Sequence, residues 1–93
     1  MNFQPRFETM RDSAGREIAA LSKMLADLVR TVQLIECEIA AQEERASVSD
    51  RSDVNYPVLA RTLIERRDNL KMTIDALAHR LAERAPGEQV TAA

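Results

Sequence analysis

The chain has 93 residues, of which 45% are hydrophobic and 30% charged, with only two glycines, three prolines and a formal net charge of -2. That length holds at most one small domain with a modest buried fraction, so association with a second chain has to be considered from the outset. The composition is that of long amphipathic helices, and the lack of a basic excess argues against a general attraction to nucleic acid or an anionic membrane.

One cysteine, Cys37, cannot close an internal disulfide, and one histidine, His79, cannot build a metal site without ligands from elsewhere. No cofactor and no metal are expected. The first residues, Met1 to Glu8, lack the apolar core of a signal peptide, and no stretch approaches the roughly 18 uninterrupted apolar residues of a membrane span. The expectation is a cytoplasmic protein with no membrane contact.

Residues 1–12 read as an N-terminal docking arm or helix extension that carries Phe3, Phe7 and Met10. The first helix is predicted over residues 13–46. Its apolar residues recur at steps of three and four from Ile18 through Leu21, Leu25, Leu28, Val32 and Ile35 to Ile39. Three starts compete: a capping box from Thr9 to Asp12, a cap at Ser13, or an earlier first turn at Pro5. Gly15 costs about 1 kcal/mol against alanine inside a helix and weakens the turns before Ile18.

Residues 47–55 are rich in serine, aspartate and asparagine, which bond their own backbone and compete with helix, so they form the loop. The second helix is predicted over about 56–85, with Pro57 in its first turn and Leu59, Leu63, Leu70, Ile74, Leu77 and Leu81 along it. Pro86 and Gly87 stop it, and residues 86–93 read as a disordered tail.

The two apolar series match in opposite directions. Leu21 pairs with Leu81, Leu25 with Leu77, Leu28 with Ile74, Val32 with Leu70, Ile35 with Arg67 and Ile39 with Leu63, as in a helix folded back about residue 51. The same spacing also fits a parallel pairing between two chains, so the direction rests on the connection, which is short enough to favour antiparallel neighbours. The predicted fold is all-α: a long antiparallel two-helix hairpin that dimerises into a four-helix bundle.

The stripe on the first helix is broadened by Ala20, Met24 and Leu34 on one flank and by Ala19, Ala26 and Val29 on the other; on the second, Ala60, Ile64, Ala78 and Ala82 do the same. The predicted protein interface is therefore Phe3, Phe7, Met10, Met24, Val29, Leu34 and Ile64, with three of these beyond the reach of the second helix.

Arg67 is the one charged member of the matched series. The expectation is a snorkelling side chain that reaches Glu36 or Glu38 and sets the register of the helices. Further pairing is expected where Glu43 and Glu44 approach Arg61 and Arg66. Cys37 lies between Glu36 and Glu38, whose charge disfavours a reactive thiolate, and His79 follows Asp75 by one turn as an ordinary surface pair. With no second histidine and no nucleophile placed to use the first, no catalytic constellation is assembled.

Arg66, Arg80 and Arg84 form a sparse line with Asn69 and Thr73 that suits phosphate, but Glu65, Asp68, Asp75 and Glu83 lie beside it and no aromatic is there to stack a base. RNA binding therefore ranks third. In spacing, the segment carrying Leu59, Leu63, Arg67, Leu70 and Leu77 is similar to helical flagellar and type III export chaperones. That resemblance implies a small export or secretion chaperone covering an amphipathic client helix, and it ranks second. The leading expectation is a non-enzymatic interaction protein that pairs with itself or with another protein's helix.

Overall fold

The computed structural model describes residues 6–84, with side chains from Ser13 onward. Two helices account for the fold: α1, Arg6–Ala46 (41 residues), and α2, Val58–Arg84 (27 residues). They pack against each other as an antiparallel hairpin, because partners descend along α2 as they ascend along α1. Glu17 meets Arg84 at 3.1 Å, Glu36 meets Arg67 at 3.9 Å, and Glu43 accepts from Tyr56 at 2.5 Å. At about 1.5 Å per residue, α1 runs for roughly 60 Å and α2 for roughly 40 Å.

Helix α1 begins at Arg6, ahead of both Thr9 and Ser13, so neither residue caps it. The Ser13 hydroxyl instead accepts from Arg16 Nη2 at 3.3 Å, one turn along. The helix runs unbroken through Gly15, which is exposed, with nothing near where a Cβ would stand. Its first turns lie beyond the end of α2, since Glu17 already faces Arg84.

A Schellman arrangement ends α1. Ser47 adopts the left-handed conformation with φ 55°. Its N–H bonds Glu44 O at 3.2 Å while Val48 N–H bonds Glu43 O at 3.2 Å, which satisfies two of the helix's last carbonyls. Two consecutive turns of the same design follow. Asp50 Oδ1 accepts from Ser52 N at 2.9 Å and Asp53 Oδ1 from Asn55 N at 2.8 Å, while Asp53 N bonds Asp50 O and Tyr56 N bonds Asp53 O, both at 3.0 Å. Aspartate at the first position of each turn supplies the local acceptor that makes such a turn favourable.

The connection is thus residues 47–57, two longer than the spacing of polar residues implies. Asn55 and Tyr56 belong to the second turn, and Pro57 stands at the N-cap of α2, its carbonyl accepting from Arg61 N at 3.2 Å.

The seam follows the matched series with one change of phase. Leu21, Val32, Ile35 and Ile39 are buried on α1, and Leu25, Leu28, Leu63, Leu70, Ile74, Leu77 and Leu81 are half-buried. At the loop end, Leu59 does not join the seam: it is 52% exposed, whereas Ala60 is 0% and Tyr56 3% exposed. Tyr56 and Ala60 are four residues apart and take the inward face there, and the small alanine lets the helices approach closely.

Candidate interaction surface

Two adjoining hollows lie along one side of the rod between the helices. One, of about 460 Å³, is lined by Val29, Val32, Gln33 and Glu36 of α1 and by Lys71, Ile74 and Asp75 of α2. The other, of about 500 Å³, is lined by Ser22, Leu25, Ala26, Val29, Arg30 and Gln33 of α1 and by Leu81 of α2. Val29 and Gln33 border both, so the hollows form one shallow groove with apolar residues along its floor and charges at its rim. The half-exposure of Leu25, Ile74 and Leu81 has the same origin, since two helices leave one side of each seam residue uncovered.

The interface residues expected from the sequence divide between the two flanks of the rod. Val29, 39% exposed, lies in the groove. Met24 and Leu34, 50% and 65% exposed, each stand five residues from it, roughly 140° around the helix, and border neither hollow. Ile64 is half-buried. Phe7 and Met10 belong to α1 by backbone, but their side chains, and all of Phe3, lie outside the described residues. Met72, 71% exposed on α2, is an exposed apolar residue that the seam pattern does not reveal.

Arg67 sits at the seam with its side chain 17% exposed. The guanidinium approaches Glu36 at 3.9 Å and makes a closer two-pronged contact with Asp68 Oδ1, at 3.0 Å from Nη2 and 3.1 Å from Nε. Glu38 is not its partner: it accepts from Arg45 at 3.2 Å and Gln42 at 3.3 Å along its own helix. Both acids beside Arg67 are well solvated, so each contact contributes little by itself.

The loop end holds a cluster that the charge pattern does not reveal. Tyr56 donates its hydroxyl to Glu43 Oε2. The Arg61 guanidinium carbon lies 5.3 Å from the centre of the Tyr56 ring, and Arg61 Nη2 donates to Asp53 O at 3.1 Å. Arg61 therefore serves the turn and the aromatic ring rather than an α1 glutamate. The Glu43 hydrogen bond, followed by burial, raises the tyrosine pKa above its usual 10.0. In the first turn, the Ser52 hydroxyl and then the Ser52 N–H lower the pKa of Asp50.

His79 turns forward along α2 to Glu83, at 3.4 Å, instead of back to Asp75. Cys37 is exposed. Arg80 and Arg84, two of the three arginines on the polar line, are drawn to Glu17 at 3.9 and 3.1 Å. Among the described residues, no group of three or more histidine, cysteine, aspartate or glutamate side chains is placed to hold a metal ion, and no helix is long and apolar enough to cross a membrane. Among the described residues, the groove offers an apolar surface for packing.

Comparisons with protein-family models, with curated proteins and with solved structures find no match to this chain. Its class is therefore stated from its own architecture: an all-α helical hairpin.

Proposed function

We propose that the chain is a non-enzymatic interaction protein that works by self-association, two hairpins completing a four-helix bundle. The observation that carries this reading is the incomplete coverage of its own apolar residues. Most of the α2 seam is only half-buried, and Val29 in the groove beside it is 39% exposed. A second layer of helices removes such surface from water, at roughly 25 cal/mol per Å² of apolar area.

Sedimentation equilibrium of the purified chain tests this reading, with a dimer as the expected species. A chain that stays monomeric up to its solubility limit refutes self-association. The groove also has the form that a single amphipathic client helix would fill, which keeps the export-chaperone reading as the alternative. Stable capture of such a helix by a monomeric hairpin favours that alternative.

A further inference from the structure

The geometry points to an antiparallel dimer in which the groove of one hairpin closes on the groove of a second copy about a two-fold axis at Val29. This inference rests on the self-association proposed above and names the face and the pairing that carry it. The occupant is argued from the charges on the groove wall.

Lys71 and Asp75 border the same hollow one helical turn apart, and neither makes an ion pair within its own chain among the described residues. Glu36 meets Arg67 across the antiparallel helices, and seven residues along each helix from that contact Val29 stands level with Ile74, so the middle of the groove on α1 is level with the Lys71 to Asp75 turn of α2. A two-fold axis perpendicular to the rod at Val29 stacks α1 on α1 and α2 on α2 in opposite directions. Every step up one copy is then met by the same step down the other.

That operation places Val29 against its own counterpart. It sets Lys71 opposite the second copy's Asp75, and Asp75 opposite the second copy's Lys71, so two ion pairs form from one repeated spacing. On α1 it brings Ser22 opposite Glu36, a hydroxyl donor to a carboxylate, and the small Ser22 and Ala26 side chains permit close approach. The alternative two-fold, along the rod, stacks α1 on α2 and leaves Lys71 without Asp75. The charge pattern thus selects one of the two ways in which the hairpins can face each other.

The test is a charge exchange measured by sedimentation equilibrium, with native mass spectrometry to identify the species. Lys71→Glu alone sets acid against acid at both contacts, and Asp75→Lys alone sets base against base. Each single variant is expected to keep its helical circular dichroism and to dimerise roughly tenfold more weakly than the unaltered chain. An equimolar mixture of the two variants is expected to regain the original affinity as heterodimers, because every contact in the mixed pair is again of opposite charge.

If the unaltered chain is monomeric, self-association fails and this inference fails with it. If it dimerises but the single variants dimerise equally well, or the mixture forms no excess of heterodimer, the Val29 axis is overturned while self-association stands.

Discussion

The Tyr56 hydroxyl donates a 2.5 Å hydrogen bond to the Glu43 carboxylate, tying the residue just before the N-cap of α2 to the last turns of α1. The backbone carbonyl of Glu43 also accepts from Val48 N at the C-terminus of α1. One residue thereby ends a helix with its main chain and anchors the returning strand of the loop with its side chain.

That contact sets an alkaline dependence. The neutral phenol is the donor, so its folded pKa is raised. The contribution to stability is fully present below the ordinary tyrosine pKa and is lost as pH rises through the raised value. Tyr56 is the chain's one tyrosine and there is no tryptophan, so tyrosinate absorbance reports it alone. The midpoint is expected above that of free tyrosine and should fall back towards it in Glu43→Gln. An unchanged midpoint in the variant would mean that the hydrogen bond is not formed in solution.

Ser47 occupies a left-handed backbone position without being glycine. Ser47→Gly relieves that strain at the C-terminus of α1, and the gain is partly offset by the greater freedom of glycine in the unfolded chain. The expected result is a stabilisation of about 0.5–1 kcal/mol, which raises the melting temperature by a few degrees for a chain of this size. Thermal unfolding followed by circular dichroism measures it, and a drop in melting temperature would contradict the capping geometry.

Gly15 offers a contrasting case. Alanine there meets nothing, and the exposed helix interior favours it by about 1 kcal/mol. Because α1 has passed the end of α2 near Glu17, the gain should appear mainly as slower amide exchange before Glu17, with a smaller rise in global melting temperature. Hydrogen exchange read residue by residue distinguishes this from an effect spread along the rod.

Arg67→Leu should keep or raise the melting temperature. The side chain it replaces is 17% exposed at an otherwise apolar seam, and the acids it leaves behind remain solvated. Alternative association states are expected in the variant if the arginine sets alignment. A large loss of stability with an unchanged oligomeric state would instead show that the contacts with Glu36 and Asp68 are required for folding.

Periodicity carried most of the architecture. The steps of three and four from Ile18 to Ile39 and from Leu63 to Leu81 are local properties of the chain, and their match, together with a short connection that favours antiparallel neighbours, predicts two helices folded back on each other. The loop was legible for the same reason, because aspartate, serine and asparagine side chains bond the backbone within two residues of themselves.

Position around and between the helices was decided by tertiary structure. Arg61 and Tyr56 show this: the folded loop end brings the Tyr56 hydroxyl to Glu43 and the Arg61 guanidinium over the Tyr56 ring, whereas Glu38 and His79 find their partners, Arg45 with Gln42 and Glu83, within their own helices. The displacement of Leu59 by Tyr56 and Ala60 depended on two turns and a proline cap that set the phase of α2. The candidate surface divides in the same way. Apolar residues on both flanks of α1 can be found in the sequence, but the joining of Val29 to Lys71, Ile74 and Asp75 in one groove exists only once α2 lies alongside. Helical repeat is written in neighbouring residues, whereas a groove is made by residues far apart in the chain, and only packing brings them together.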